Sequence, residues 1–139
     1  MSIVSNLQHP ENTLPAWTEC ENSCAWCSAT CRSFVDFSQE SRALNSATVR
    51  LLRDCADIAH ATAQVLSRRS DPNLAVIRAQ VQSSAQVAKV TADRCKTEVL
   101  SSESFRKAAE ASRRAEDACI TLFEVLAPRA IEKQTVELA

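Results

Sequence analysis

The stretch Cys20-Glu21-Asn22-Ser23-Cys24-Ala25-Trp26-Cys27-Ser28-Ala29-Thr30-Cys31 decides how the chain is read. Its four cysteines are spaced by steps of four, three and four. On an α-helix that spacing puts them on one face, each about a turn from the next. At 1.5 Å of rise per residue the stripe is ~16 Å long. Four sulfurs spread over that length cannot converge on one ion. A compact four-cysteine zinc site built from this helix alone is therefore excluded, since it needs four thiolates at ~2.3 Å from one centre. Adjacent pairs can still share a metal. Cys20 with Cys24, and Cys27 with Cys31, suit two-coordinate binding, or three-coordinate binding with one partner from another helix. Soft thiolates and low coordination number favour Cu(I).

The same period continues elsewhere. A second helix gives Thr48, Leu52, Cys55 and Ala59; a third gives Ser84, Ala88, Thr91 and Cys95; a fourth gives Ala108, Ser112, Ala115 and Cys119. Each of these stripes keeps one cysteine, and nearly everything else on it is small. Flat antiparallel layers would make Cys31–Cys95, Cys24–Cys55 and Cys20–Cys119 cross-helix neighbours, with Cys27 level with Ser112.

The ends of the helices are marked by their caps. Asn12 or Thr13 starts the first, with Pro15 in its first turn, and it runs to about Phe37. The second starts near Ser41 and ends around Arg68 and Arg69. Asp71-Pro72 reads as N-cap and first helical residue of the third, which runs to about Val99. Ser101 or Ser102 caps the fourth, with Glu103 favourable at its N-terminus, and Pro128 follows its end. Short connections make consecutive helices antiparallel neighbours. The expected fold is all-α, an antiparallel up-down four-helix bundle over residues 13–127. It forms a single domain over 1–139, with an N-terminal arm over 1–12 and a C-terminal tail over 128–139.

Composition agrees. The 139 residues contain no glycine and no tyrosine, but seven cysteines. Average usage of ~7% would give roughly ten glycines. Without them there is no phosphate-cradling loop, no dinucleotide fingerprint and no nucleophile elbow. Tight hairpins also become hard to build. The net charge is −1, and no basic stripe marks nucleic-acid binding. No apolar run reaches the ~18 residues of a membrane span, and the N-terminus lacks the pattern of a secretory signal. The expected location is the cytoplasm, where clustered thiols bind metal or do redox work more often than they form disulfides.

Taken singly, Cys55, Cys95 and Cys119 read as core packing, because a buried free cysteine behaves as a small hydrophobe. Four thiols on one stripe do not, since Ala or Val would pack there without inviting oxidation. His60, level with Ala59, is a candidate entry ligand or an exposed helix histidine; His9 lies in the arm. Trp17 and Trp26 could shield thiolates or fill an interface between helices or subunits. Phe34 and Phe37 are expected to close the end of the core. Arg53 with Asp57, and Arg113 with Asp117, read as surface i,i+4 pairs. No Cys–His pair and no Glu-xx-His pattern points to catalysis, so the chain reads as a non-enzyme.

The cysteine pattern resembles the four-helix-bundle copper-binding proteins that include the bacterial cytosolic copper-storage proteins. The resemblance spans roughly residues 17–122. Besides the first-helix motif it rests on Arg53-Asp54-Cys55-Ala56-Asp57-Ile58, Thr91-Ala92-Asp93-Arg94-Cys95-Lys96 and the run from Ala108 to Cys119. It implies a bundle interior lined with thiols that hold several Cu(I) ions, and assembly into oligomers. Where such helices repeat cysteine, this chain has Thr48, Ala59, Ser84, Ala88, Thr91, Ala108, Ser112 and Ala115. The expectation is binding of a small number of Cu(I) ions by Cys20, Cys24, Cys27, Cys31, Cys55, Cys95 and Cys119, for buffering or storage. An iron–sulfur cluster, which also uses Cys ligands, and a scaffold or interaction module that has lost its metal are the alternatives. Copper ions and a second copy of the chain are the expected partners; nucleic acid and membrane are not.

Overall fold

A computed structural model of the chain describes residues 10–37, 46–97 and 102–127. They form four helices, α1 (Pro10–Phe37), α2 (Ser46–Ser67), α3 (Leu74–Thr97) and α4 (Glu103–Val125), with no strand among the described residues. The helices close a ring in which α1 packs on α2, α2 on α3, α3 on α4 and α4 on α1. Cross-links fix the antiparallel sense. Along α1 from Trp17 to Ser28, the partners on α2 run backwards: the Trp17 indole Nε1 donates to the Leu66 carbonyl at 2.7 Å, and Ser28 Oγ to the Ala56 carbonyl at 2.7 Å. Arg113 of α4 likewise meets Asp93 of α3 at 2.9 Å, while Arg78 reaches the Phe123 carbonyl at 3.4 Å. This is the expected up-down bundle.

Several element ends differ from expectation. α1 begins at Pro10, whose missing N–H costs nothing at a first helical position. Pro15 therefore lies inside the helix rather than in its first turn, on an exposed face. The expected start of α2 near Ser41, the end of α3 near Val99, the tail and most of the arm lie outside the described residues. Asp71-Pro72 does not cap α3. Asp71 takes a left-handed backbone, φ 52°, a conformation for which Asp is one of the better non-glycine residues. Asn73 is the cap: its Oδ1 accepts from the Val76 N–H at 3.1 Å and its carbonyl accepts from the Ile77 N–H at 3.0 Å. At α4 the expected cap holds, with Ser102 Oγ accepting from the Phe105 N–H at 3.3 Å.

The core has three sections. One end is an apolar plug of Trp17, Leu66, Leu74, Leu122 and Leu126, all fully buried. At the other, Phe34 and Phe105 meet edge to face at 4.8 Å. Phe37 does not help to close it, since it is 82% exposed just past the last inward turn. Between the plugs lie the cysteines with Ala59, Ser84, Ala88, Thr91, Ala108, Ser112 and Ala115, all buried. Every residue of the three stripes expected on α2, α3 and α4 faces inwards. The surface pairs rearrange: Asp57 joins Arg32 across α1–α2 at 3.0 Å, and Arg113 joins Asp93 and Glu116 rather than Asp117. Asp57 and Arg113 thus each reach a partner on a neighbouring helix, and Arg113 also holds Glu116 one turn along its own helix.

Candidate metal centre

All seven cysteines are free and none is exposed. Six of them form two groups of three. Cys20, Cys24 and Cys119 have their sulfurs within 4.8 Å of one another, and so do Cys27, Cys31 and Cys55. In the first group Cys119 lies 3.5 Å from Cys20 and 3.5 Å from Cys24. In the second, Cys27 lies 3.7 Å from Cys55. Each group is an i,i+4 pair of α1 closed by one thiol from a neighbour, α4 for the first and α2 for the second. The helical spacing supplies the pair, and the narrow core brings the third sulfur close.

A serine hydroxyl stands beside each group. Ser84 of α3 lies 3.7 Å from the Cys24 sulfur. Ser112 of α4 lies 3.7 Å from Cys27 and 3.9 Å from Cys31. Sequence reasoning placed both serines on the inner stripes without giving them a role. The signal available was their position on inward stripes that face the thiols of α1.

The protons within each group are shared unevenly. Cys20 is pushed up by donating to Cys119, then by Cys24 and by burial. Cys24 is pushed up to about 12, first by its bond to Cys119. Cys119 is lowered because Cys20 and then Cys24 donate to it. The second group repeats the scheme. Cys55 is lowered by S–H groups from Cys27 and Cys31. Cys31 is raised by its bonds to Cys27 and Cys55. Cys27 accepts from Cys31, which lowers it, but its bond to Cys55 and burial outweigh this and raise it. In both groups the closing thiol from the neighbouring helix is shifted down and the α1 thiols are shifted up, because the α1 S–H groups donate to it.

The expected neighbours Cys20–Cys119 and Cys27–Ser112 are found. Cys55 closes on Cys27 and Cys31 instead of Cys24, about one turn from the flat-layer position. The Trp17–Leu66 and Ser28–Ala56 hydrogen bonds fix the register of α2 on α1, and in that register Cys55 stands opposite Cys27. Cys95 is fully buried on the inner stripe of α3 but enters neither group. His60 is exposed on α2 and joins no group. Trp26 is 39% exposed, with the Arg114 guanidinium 5.6 Å from its ring.

Comparison with known proteins places these groups in context. No curated protein matches the chain significantly. Solved structures do. A cytosolic copper storage protein from Streptomyces lividans, in a copper-loading structure with five coppers, is 34% identical at a TM-score of 0.73, covering 79% of this chain and 93% of that one. The Streptomyces lividans copper storage protein Ccsp loaded with 10 copper equivalents is 34% identical at a TM-score of 0.73, covering 79% of this chain and 85% of that one. A variant of Streptomyces lividans Ccsp gives a TM-score of 0.76 at 34% identity, over 81% of this chain and 96% of that one. Residues 6–124 match the copper storage protein family, Csp, which spans the whole thiol-lined core, and the chain belongs to that family.

Proposed function

We propose that this chain binds a small number of Cu(I) ions in the cytoplasm, for buffering or storage, and is not an enzyme. The observation that carries this is the pair of closed three-thiol groups, both wholly buried. Cu(I) is soft and content with two or three sulfur ligands. An i,i+4 pair of α1 supplies two, and Cys119 or Cys55 stands ready as the third. The proposed ligands are thus Cys20, Cys24 and Cys119 for one ion, and Cys27, Cys31 and Cys55 for another.

Loading one ion onto two thiolates gives a centre of charge −1. The remaining S–H group and the serine hydroxyl at 3.7 Å donate to those thiolates, which offsets part of the cost of burying the charge. The apolar plugs exclude water and oxidants. Transfer between the groups runs along the α1 stripe, where Cys24 and Cys27 are one turn apart. Six grouped thiols make a low-capacity centre, smaller than the ten equivalents carried by the Streptomyces lividans protein.

The test is an anaerobic Cu(I) titration against a competing chelator. Wild type should show a break at two ions per chain, one for each group. A variant with Cys20, Cys24, Cys27 and Cys31 all changed to Ala should show none while keeping its helical circular dichroism. Equal binding by the two proteins, or none by wild type, would show the proposal to be wrong.

A further inference from the structure

Each sulfur group has a charge problem that copper only partly solves. Three thiolates carry three negative charges. A monovalent ion leaves two of them uncompensated, and a divalent ion leaves one. Among the described residues no Lys, Arg or His side chain is buried, so the core offers no cation to make up the difference. Uncompensated charge in an apolar interior is expensive. Only a trivalent centre makes a three-thiolate site neutral.

The sulfur spacing points the same way. At an atom ~2.3 Å from both sulfurs, a typical metal–thiolate distance, a flat three-coordinate site would need sulfurs ~4.0 Å apart. All three sulfurs of each group lie within 4.8 Å of one another; Cys119 is 3.5 Å from both Cys20 and Cys24, and Cys27 is 3.7 Å from Cys55. The 3.5 Å and 3.7 Å pairs subtend angles of about 100° and 107° at such an atom, below the ~120° of a flat site and in the range of a pyramidal centre bearing a lone pair.

We infer that the Cys20/Cys24/Cys119 and Cys27/Cys31/Cys55 groups are binding sites for trivalent arsenic, captured as arsenite. Arsenite reaches the protein as neutral As(OH)3. Three As–S bonds form and three As–O bonds break, and each hydroxide leaves as water. Each site supplies its thiol protons, and solvent supplies one for any thiol already ionised. No electron is transferred, and the product As(SR)3 is neutral. The inference rests on sulfur geometry and charge, and it does not require the copper reading to hold.

The experiment is anaerobic incubation of the reduced protein with sodium arsenite, desalting, and intact-mass measurement with circular dichroism on the same samples. Wild type should retain two arsenic atoms per chain, each adding one arsenic and removing three hydrogens. Cys119→Ser and Cys55→Ser should each retain one, and Cys95→Ser should retain two. No retention by wild type, or retention unchanged in both group variants, overturns the inference. One atom on wild type that is lost only with Cys119→Ser overturns it for the second group. If a variant unfolds, competition decides: arsenite-saturated wild type should lose its Cu(I) uptake, and undiminished uptake overturns the inference. Wild type that takes arsenic but no Cu(I) sinks the copper proposal alone, and the reverse result sinks this one alone.

Discussion

The two sulfur groups are built to one plan from different neighbours. In both, α1 contributes an i,i+4 pair whose S–H groups donate to the closing thiol. The first takes that thiol from α4 and its hydroxyl from α3; the second takes its thiol from α2 and its hydroxyl from α4. The first lies next to the Trp17 plug, one turn away along α1, while the second lies deeper towards the Phe34–Phe105 end. The difference teaches that α1 holds the chemistry and that its neighbours are interchangeable suppliers of one ligand each. Six cysteines therefore form two groups without a thiol on every inward position.

The largest effect that can break this comparison is at Trp17. It is fully buried and bonded to the Leu66 carbonyl, so Trp17→Ala should cost about 3–5 kcal/mol in urea unfolding. Its local consequence should be uneven, with alkylation of Cys20, Cys24 and Cys119 speeding up more than that of Cys27, Cys31 and Cys55. Equal acceleration would show that the plug does not distinguish the groups. Next comes pH. Cys20, Cys24, Cys27 and Cys31 all have raised pKa values and hold their protons at neutral pH. Cu(I) must displace those protons, so affinity should rise with pH, by about tenfold per unit for each proton displaced. A chelator competition that shows no such rise would remove the proton scheme from both groups. The smallest effect is at the serines. Ser112→Ala strips a neighbour from two sulfurs and Ser84→Ala from Cys24. At about 0.5–1.5 kcal/mol per hydrogen bond, the affinity loss should be larger for Ser112→Ala, and equal losses would erase that asymmetry.

Much of this was legible because helical periodicity is a strong signal. The α1 stripe, the inward stripes of α2, α3 and α4, the Cys20–Cys119 contact and the Ser102 cap all follow from spacing and cap chemistry. What the sequence did not disclose depends on register and on tertiary competition. Cys55 sits about a turn from the flat-layer position because the α1–α2 register is set by contacts such as Trp17–Leu66 and Ser28–Ala56. Asp71 yielded the cap to Asn73 because the turn between α2 and α3 needs a left-handed residue and the chain has no glycine to supply one. Phe37 is apolar yet exposed because it is the last residue of α1, past the turn in which Phe34 and Val35 are buried. The serine hydroxyls became visible only once their distances to sulfur were known.

The chain separations inside the two groups differ widely. Cys27 and Cys55 are 28 residues apart, whereas Cys20 and Cys24 lie 99 and 95 residues from Cys119. Closing a short loop costs less entropy and happens sooner than closing a long one. During synthesis, which exposes the N-terminal part first, the α1–α2 hairpin holds every sulfur of the second group as soon as Ser67 has emerged. The first group must wait for α4, nearly the end of the described chain. The sulfurs of the second group are thus all synthesised before α3, whereas the first group gains its closing thiol only with α4.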